Sequence, residues 1–281
     1  MSDPGTTHRR RARARPIWPG LVAAICLLRG LRLFVSAAPA TPLRILAIIA
    51  LDTLHVLRRS RPLPRRQIRE LAMLLDFQAC TNAAWDDKNL CVTGYERLRQ
   101  RLVQAGLESR IEMYLNRLGE LESRRPSIAG DSRRFDEVRS YREDVARLSL
   151  ETIISFALDT ECLEPGSPLS DSGGDVEVLF RIAMQCQIID DVVDYTADQA
   201  AGLPGFLTAC ASLPQALELT AGAARRYGRD RSSGHGILPL RMALQVCTAL
   251  TSLTLGMAHR RHRRDQRQIA EAFSAPPRGG S

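Results

Sequence analysis

The segment that most constrains this chain is Gln185-Cys186-Gln187-Ile188-Ile189-Asp190-Asp191-Val192-Val193-Asp194-Tyr195-Thr196-Ala197-Asp198. Wound as an α-helix at about 100° per residue, it gathers Gln187, Asp190, Asp191, Asp194 and Asp198 into roughly one quarter of the circumference. The rest of the helix is Phe180, Ile182, Ala183, Met184, Ile188, Ile189, Val192 and Val193, apolar nearly all round. Such a helix belongs at the centre of a bundle. Its carboxylates then point into the bundle or its mouth, where uncompensated negative charge is too costly without cations. Hard divalent ions with oxygen ligands are the natural compensation, and Mg²⁺ leaves coordination positions for a substrate's phosphates. A solvated edge, or a stripe paired with arginine, is the plainer alternative.

The surroundings must therefore be helical. With 281 residues, 44% hydrophobic and 5% aromatic, the chain can bury one sizeable core. No segment sustains two-residue alternation, and Leu, Ala and Ile dominate the apolar side chains, so the expected class is all-α. Helices are expected over 17–36, 43–58, 65–88, 94–105, 107–122, 135–158, 175–198, 214–229 and 237–259, with a shorter piece near 204–213. Glu164 to Gly174 is the clearest interior break. The expected organisation is a disordered basic start over 1–16, one domain of roughly ten helices over 17–273, and a disordered end over 274–281.

Gln-Ile-Ile-Asp-Asp-Val-Val-Asp-Tyr resembles the second aspartate-rich motif of trans-prenyl diphosphate synthases and squalene/phytoene synthases, members of the class I isoprenoid synthase superfamily. Leu203-Pro204-Gly205-Phe206-Leu207-Thr208-Ala209 is a weaker echo downstream. The resemblance implies a bundle with a central cavity, an Mg²⁺-dependent enzyme acting on an allylic prenyl diphosphate, and about three Mg²⁺ ions held between two acidic clusters. Asp190, Asp191 and Asp194 would supply the second cluster, with Asp198 behind them. The best candidate for the first is Asp76 to Lys88. There Asn82 and Asp86 lie four apart on a face shared with Gln78, and Asp87 lies about 100° away at its edge. That set departs from the family's DDxxD, because the position four beyond Asp86 is Leu90. By this resemblance Asp86, Asp190, Asp191 and Asp194 are the catalytic candidates, and Asn82, Asp86 and Asp87 join the second cluster as metal ligands, with Gln78 supporting them.

Diphosphate oxygens not covered by metal should meet arginines or an amide. The candidates are Arg139, Arg142, Arg181, Arg226 and Gln187, although Arg181 could equally pair with Glu177 one turn earlier. The chain carries a net charge of +8, with Lys88 its one lysine. Much of the excess sits in Arg9 to Arg15 and His259 to Arg264, read as solvated tails, with anionic lipid the sharper alternative. No zinc-finger or recognition-helix pattern accompanies them, so nucleic acid is not an expected partner. His55 and His235 have no companion ligand at metal spacing and read as structural.

Seven scattered cysteines without a CxxC pair favour a reducing cytosol. Pro16 to Leu28 imitates a signal peptide, but Arg29 and Arg32 interrupt it and no convincing cleavage site follows. The expected location is cytoplasmic, with peripheral membrane contact through residues 1–58 as a hypothesis, and a homodimer is common among the families resembled. The Gly-Lys-x-x-Arg-Pro type element that holds isopentenyl diphosphate is not found. Cyclisation or head-to-head condensation is therefore preferred slightly over chain elongation, and a non-catalytic, membrane-associated descendant of the fold is the third reading. No GxSxG, P-loop or dinucleotide fingerprint offers another start.

Overall fold

The computed structural model describes residues 42–59, 61–87, 92–127, 132–157, 174–229 and 238–274, all of them helix, turn or loop with no strand. Nine helices occur among the described residues: α1 (Pro42–Arg59), α2 (Arg65–Asp87), α3 (Val92–Gln104), α4 (Glu108–Ser123), α5 (Ser132–Ala157), α6 (Gly174–Val193), α7 (Tyr195–Ala201), α8 (Leu213–Gly228) and α9 (Leu238–Ser274). The helix expected over 17–36, the break at 164–174, His235 and the two expected disordered ends lie outside the described residues, apart from Gly174, the first residue of α6, and Ser274, the last of α9.

Local chemistry sets the turns. Asp52 accepts the Leu63 N–H at 2.7 Å and His55 Nδ1–H donates to the Arg61 carbonyl at 2.8 Å, tying the α1–α2 connection back onto α1. His55 is buried there as a structural residue. Gly106 turns α3 into α4 with φ +79°, a left-handed conformation that a side chain would strain. Among the described cysteines, Cys80, Cys186, Cys210 and Cys247 are free thiols.

Helix α6 is the axis of the packing, touching α5, α8 and α9, and it buries Val176, Val178, Leu179, Phe180, Met184 and Ile188. Gln185 fixes the directions of its neighbours. Its amide donates to the Ala224 carbonyl at 2.8 Å, while Arg181 reaches the Arg229 carbonyl at 2.8 Å, so α8 runs antiparallel to α6. Thr251 donates to the Gln185 carbonyl and Leu255 joins Met184 and Ile188 in one apolar cluster, so α9 runs parallel to α6. On the other side Gln67 and Gln78 of α2 donate to the carbonyls of Phe156 and Ser149 of α5. A second apolar cluster fills that half, with Leu71, Leu74, Phe77, Ile111, Tyr114 and Leu118 fully buried.

Two boundaries differ from the expected ones. The acidic helix ends at Val193, and the chain bends at Asp194 (φ −96°, ψ 7°) before α7 resumes it. Backbone bonds from Asp194 N–H to Asp190 and from Asp198 N–H to Asp194, both 2.9 Å, carry the turn through the bend. Helix α9 continues to Ser274 rather than stopping near His259, because Ala, Arg and Gln beyond that point are strong helix formers and no Pro or Gly interrupts them. The run His259 to Arg264 is thus helical, and not a tail. An open groove of about 980 Å³ lies between α8 and α9, floored by Leu217, Ala221, Ala224 and Leu255.

Candidate functional site

The C-terminal ends of α2, α4 and α6 converge on one mouth, crossed by the middle of α5. Asp86, at the end of α2, acts electrostatically on both Asp191 and Asp198, so the two acidic segments face each other across α5. Between them stands Arg142, with 18% of its side chain exposed and its Nη2 3.3 Å from Asp191 Oδ1. Burial opposes its charge, but Asp191, Asp86 and Asp198 together raise its pKa.

The adjacent aspartates have different fates. Asp191 is buried, and its second oxygen accepts the Phe206 N–H at 2.6 Å, so both carboxylate oxygens are taken by protein partners. Asp190 and Asp194 are exposed and Asp198 is half-buried, and among the described residues their carboxylates make no ion pair or hydrogen bond. Burial and then Asp194 push the Asp190 carboxyl up. Burial, then Asp191, with Asp194 and Asp86 adding and Arg142 opposing, push Asp198 up to about 6. Asp191, expected as a metal ligand, is thus occupied by Arg142 and Phe206 in this structure.

Glycine 205 makes that clamp possible. A Cβ there would stand 2.9 Å from Asp191 Oδ2 and 3.2 Å from its Cγ, atoms that cannot yield while Arg142 and Phe206 hold them. Thr208 Oγ1 braces the same turn by accepting the Gly205 N–H at 2.7 Å and donating to the Leu203 carbonyl at 2.6 Å. Gly205→Ala is expected to destabilise the protein by about 1–3 kcal/mol, as overpacked sites do, read as a lower urea midpoint. An unchanged midpoint would show that the Asp191 clamp is slack.

The first cluster is more heavily committed. Asp86 Oδ1 accepts from Arg125 Nη2 at 2.5 Å, and Arg125 also reaches Glu122 and the Trp85 carbonyl, each at about 3.4 and 3.3 Å respectively. Tyr141 donates to Glu122 at 2.6 Å, which raises the pKa of its phenol together with burial. Asn82 accepts from Tyr114 at 3.4 Å, and Gln78 donates to a backbone carbonyl as a packing residue. The Asp87 side chain lies outside the described residues.

Of the five proposed diphosphate groups, two reach the mouth. Among the described residues Arg142 has a buried Nε with no hydrogen-bond partner, and Gln187 has a buried Oε1 in the same condition. Arg181 pairs with Glu177 at 3.0 Å and caps α8 through Arg229. At nine residues before Asp190 it sits about 14 Å along the helix, so its place is structural. Arg226 is exposed near the C-terminal end of α8, which the antiparallel packing carries away from the mouth. Arg139 is drawn to Asp136 at 3.1 Å and Glu143 at 3.6 Å, the latter already holding the Tyr227 hydroxyl. Two residues that sequence reasoning missed, Arg125 and Glu122, complete the mouth. An Arg-Arg-Pro loop after a helix was their only signal.

These residues fit a divalent cation in part. Asp86, Glu122, Asp190, Asp191, Asp194 and Asp198 outnumber Arg125 and Arg142, and Asp190, Asp194, Asp198 and the orphaned Gln187 oxygen offer free hard donors. Among the described residues no three acidic, His or Cys side chains already converge on one point. Mg²⁺ commonly takes one or two carboxylates and completes its octahedron with water and phosphate oxygens, which suits donors strung along a helix. Trp85 and Val193, next in sequence to Asp86 and Asp194, are exposed apolar side chains.

The charge imbalance has a pH signature in the metal-free protein. Asp198 holds its proton more tightly folded, at about 6, than at its ordinary 3.8. The folded state is therefore penalised above pH 6 and relieved as the pH falls through 6 towards 4. Asp198→Asn is expected to raise the urea midpoint at pH 7.5, with the gain closing by pH 4. A gain that is equal at both pH values would place the effect elsewhere.

Comparison of the chain with protein-family models, with curated protein sequences and with solved structures finds no match.

Proposed function

We propose that this chain is an Mg²⁺-dependent enzyme of the class I isoprenoid synthase type, which ionises an allylic prenyl diphosphate, releases pyrophosphate and cyclises or condenses the carbocation. The observation that carries this reading is the line of carboxylates Asp190, Asp194 and Asp198, unpaired among the described residues, along the end of the bundle's central helix and its continuation and facing Asp86. Asp190 and Asp194 would hold the metal, with Asp86 contributing once Arg125 is displaced. Bound Mg²⁺ would neutralise the charge that develops on the diphosphate as the C–O bond breaks. Arg142 and Gln187 would orient phosphate oxygens not covered by metal. Exposed Trp85 and Val193, beside Asp86 and Asp194 in sequence, would suit an amphiphile with an anionic head, and a dry cavity within the bundle is required for the carbocation.

The test is Mg²⁺-dependent pyrophosphate release from geranyl, farnesyl and geranylgeranyl diphosphate, each with and without isopentenyl diphosphate. Release from one allylic substrate alone supports the proposal, and release only with isopentenyl diphosphate makes the chain an elongating synthase. A second reading, a non-catalytic descendant of the fold, draws on the Asp86–Arg125 and Asp191–Arg142 pairs, which neutralise one member of each cluster internally. Silence across the panel, with no Mg²⁺-induced rise in melting temperature, would favour it.

A further inference from the structure

Helix α9 carries no charged residue between Arg241 and His259, and by length and composition its stretch Leu240–Gln268 could cross a membrane. One face of it instead packs on the bundle, where Leu240, Leu244, Thr251 and Leu255 are buried and α6 is its chief neighbour. Only 22% of the apolar stretch is buried, however. Met242, Val246, Leu250, Leu253 and Met257, between 49% and 59% exposed, recur at intervals of three and four residues. At about 100° per residue they fall within one quarter of the helix, roughly opposite the buried face, along about 22 Å of its length. The same face then continues through Arg260, Arg264 and Arg267, all exposed.

We propose that this outer face of α9 is a docking surface for an anionic lipid bilayer, on which the helix lies in the plane of the membrane. The five apolar side chains would enter the headgroup–acyl boundary, and Arg260, Arg264 and Arg267 would meet phosphate groups at one end of the stripe. Charge complementarity selects this occupant. A second copy could cover the apolar residues, but on this face α9 sets only Glu271, one turn beyond Arg267, against the three arginines. Pairing in parallel would set the two runs side by side, and antiparallel pairing would set each near the other's Arg241. The surface is distinct from the acidic mouth and stands whether or not that mouth takes a prenyl diphosphate. It also differs from residues 1–58, which sequence reasoning favoured for membrane contact.

The experiment is co-sedimentation of the full chain with phosphatidylcholine vesicles, with and without phosphatidylglycerol, alongside light scattering for oligomeric state. The wild type is expected to bind the anionic vesicles and to leave the neutral ones mostly free. Leu250→Ser with Leu253→Ser, both on an exposed face, and separately Arg260→Gln with Arg264→Gln, should each weaken binding by about tenfold or more. Replacing Arg9 to Arg15 by glutamine should change it far less, and circular dichroism melts confirm that each variant is folded. The proposal is overturned if the wild type stays free of anionic vesicles, if the Leu250/Leu253 variant binds as well as wild type, or if that variant only converts a dimer to a monomer.

Discussion

Alanine at Asp190 or at Asp194 is expected to lower Mg²⁺-dependent pyrophosphate release by about 10²–10³-fold or more, the scale of losing a group that stabilises transition-state charge, while the protein melts no lower than wild type. Both side chains are exposed and unpaired among the described residues, so alanine removes no packing and no partner. It also removes repulsion, since Asp194 helps to push the Asp190 carboxyl up and Asp190 in turn bears on Asp191. The metal-free variants should therefore melt at or slightly above the wild-type temperature, and the further rise that Mg²⁺ gives the wild type should vanish. Pyrophosphate release and paired melts with and without Mg²⁺ read both effects. Full activity in either variant would sink the assignment, and so would collapse of the fold.

Arg142→Met should behave in the opposite way, lowering stability by about 3–5 kcal/mol, the penalty typical of stripping the partner from a buried charge. The substitution keeps an apolar stem of similar length but leaves Asp191, buried and 4% exposed, with the Phe206 N–H as its one remaining hydrogen-bond partner among the described residues. Adding Asp191→Asn should restore much of the loss, because the amide oxygen still accepts from Phe206 and carries no charge. A double-mutant cycle from urea midpoints measures that coupling. A single Arg142→Met variant as stable as wild type would show that the pair is not what compensates Asp191. Neighbouring aspartates on one helix thus divide the work. Asp190 is expected to govern activity and Asp191 to govern folding.

Much of this arrangement was legible in the residues. The all-helical class followed from apolar spacing alone, and the position of α6 followed from its being apolar on every side except one. The convergence of Asp86 with Asp191 and Asp198 was expected only through a resemblance, and the fold brings them within electrostatic reach. Periodicity could not separate Asp191 from Asp190, because which carboxylate is clamped depends on Phe206 and Gly205, which belong to an irregular loop. Nor could it rank the arginines, since Arg142 and Arg181 read alike until the direction of each neighbouring helix is known. Arg125 escaped notice because its role arises from a loop whose path the spacing of apolar residues does not determine. The length of α9 was misjudged because a run of arginines reads as a tail when only apolar residues are counted.

The directions of the helices add something that no single side chain records. Helices α2 and α4 both finish at this mouth while α6 bends there into α7, so the carbonyl ends of α2 and α4 face it, each equivalent to at most roughly half a negative charge. Arg125 meets one of these carbonyls, that of Trp85, at 3.3 Å. Backbone dipoles and carboxylates therefore act with the same sign on whatever enters. The chain path thus contributes to the negative field at this end, and the acidic residues add to it.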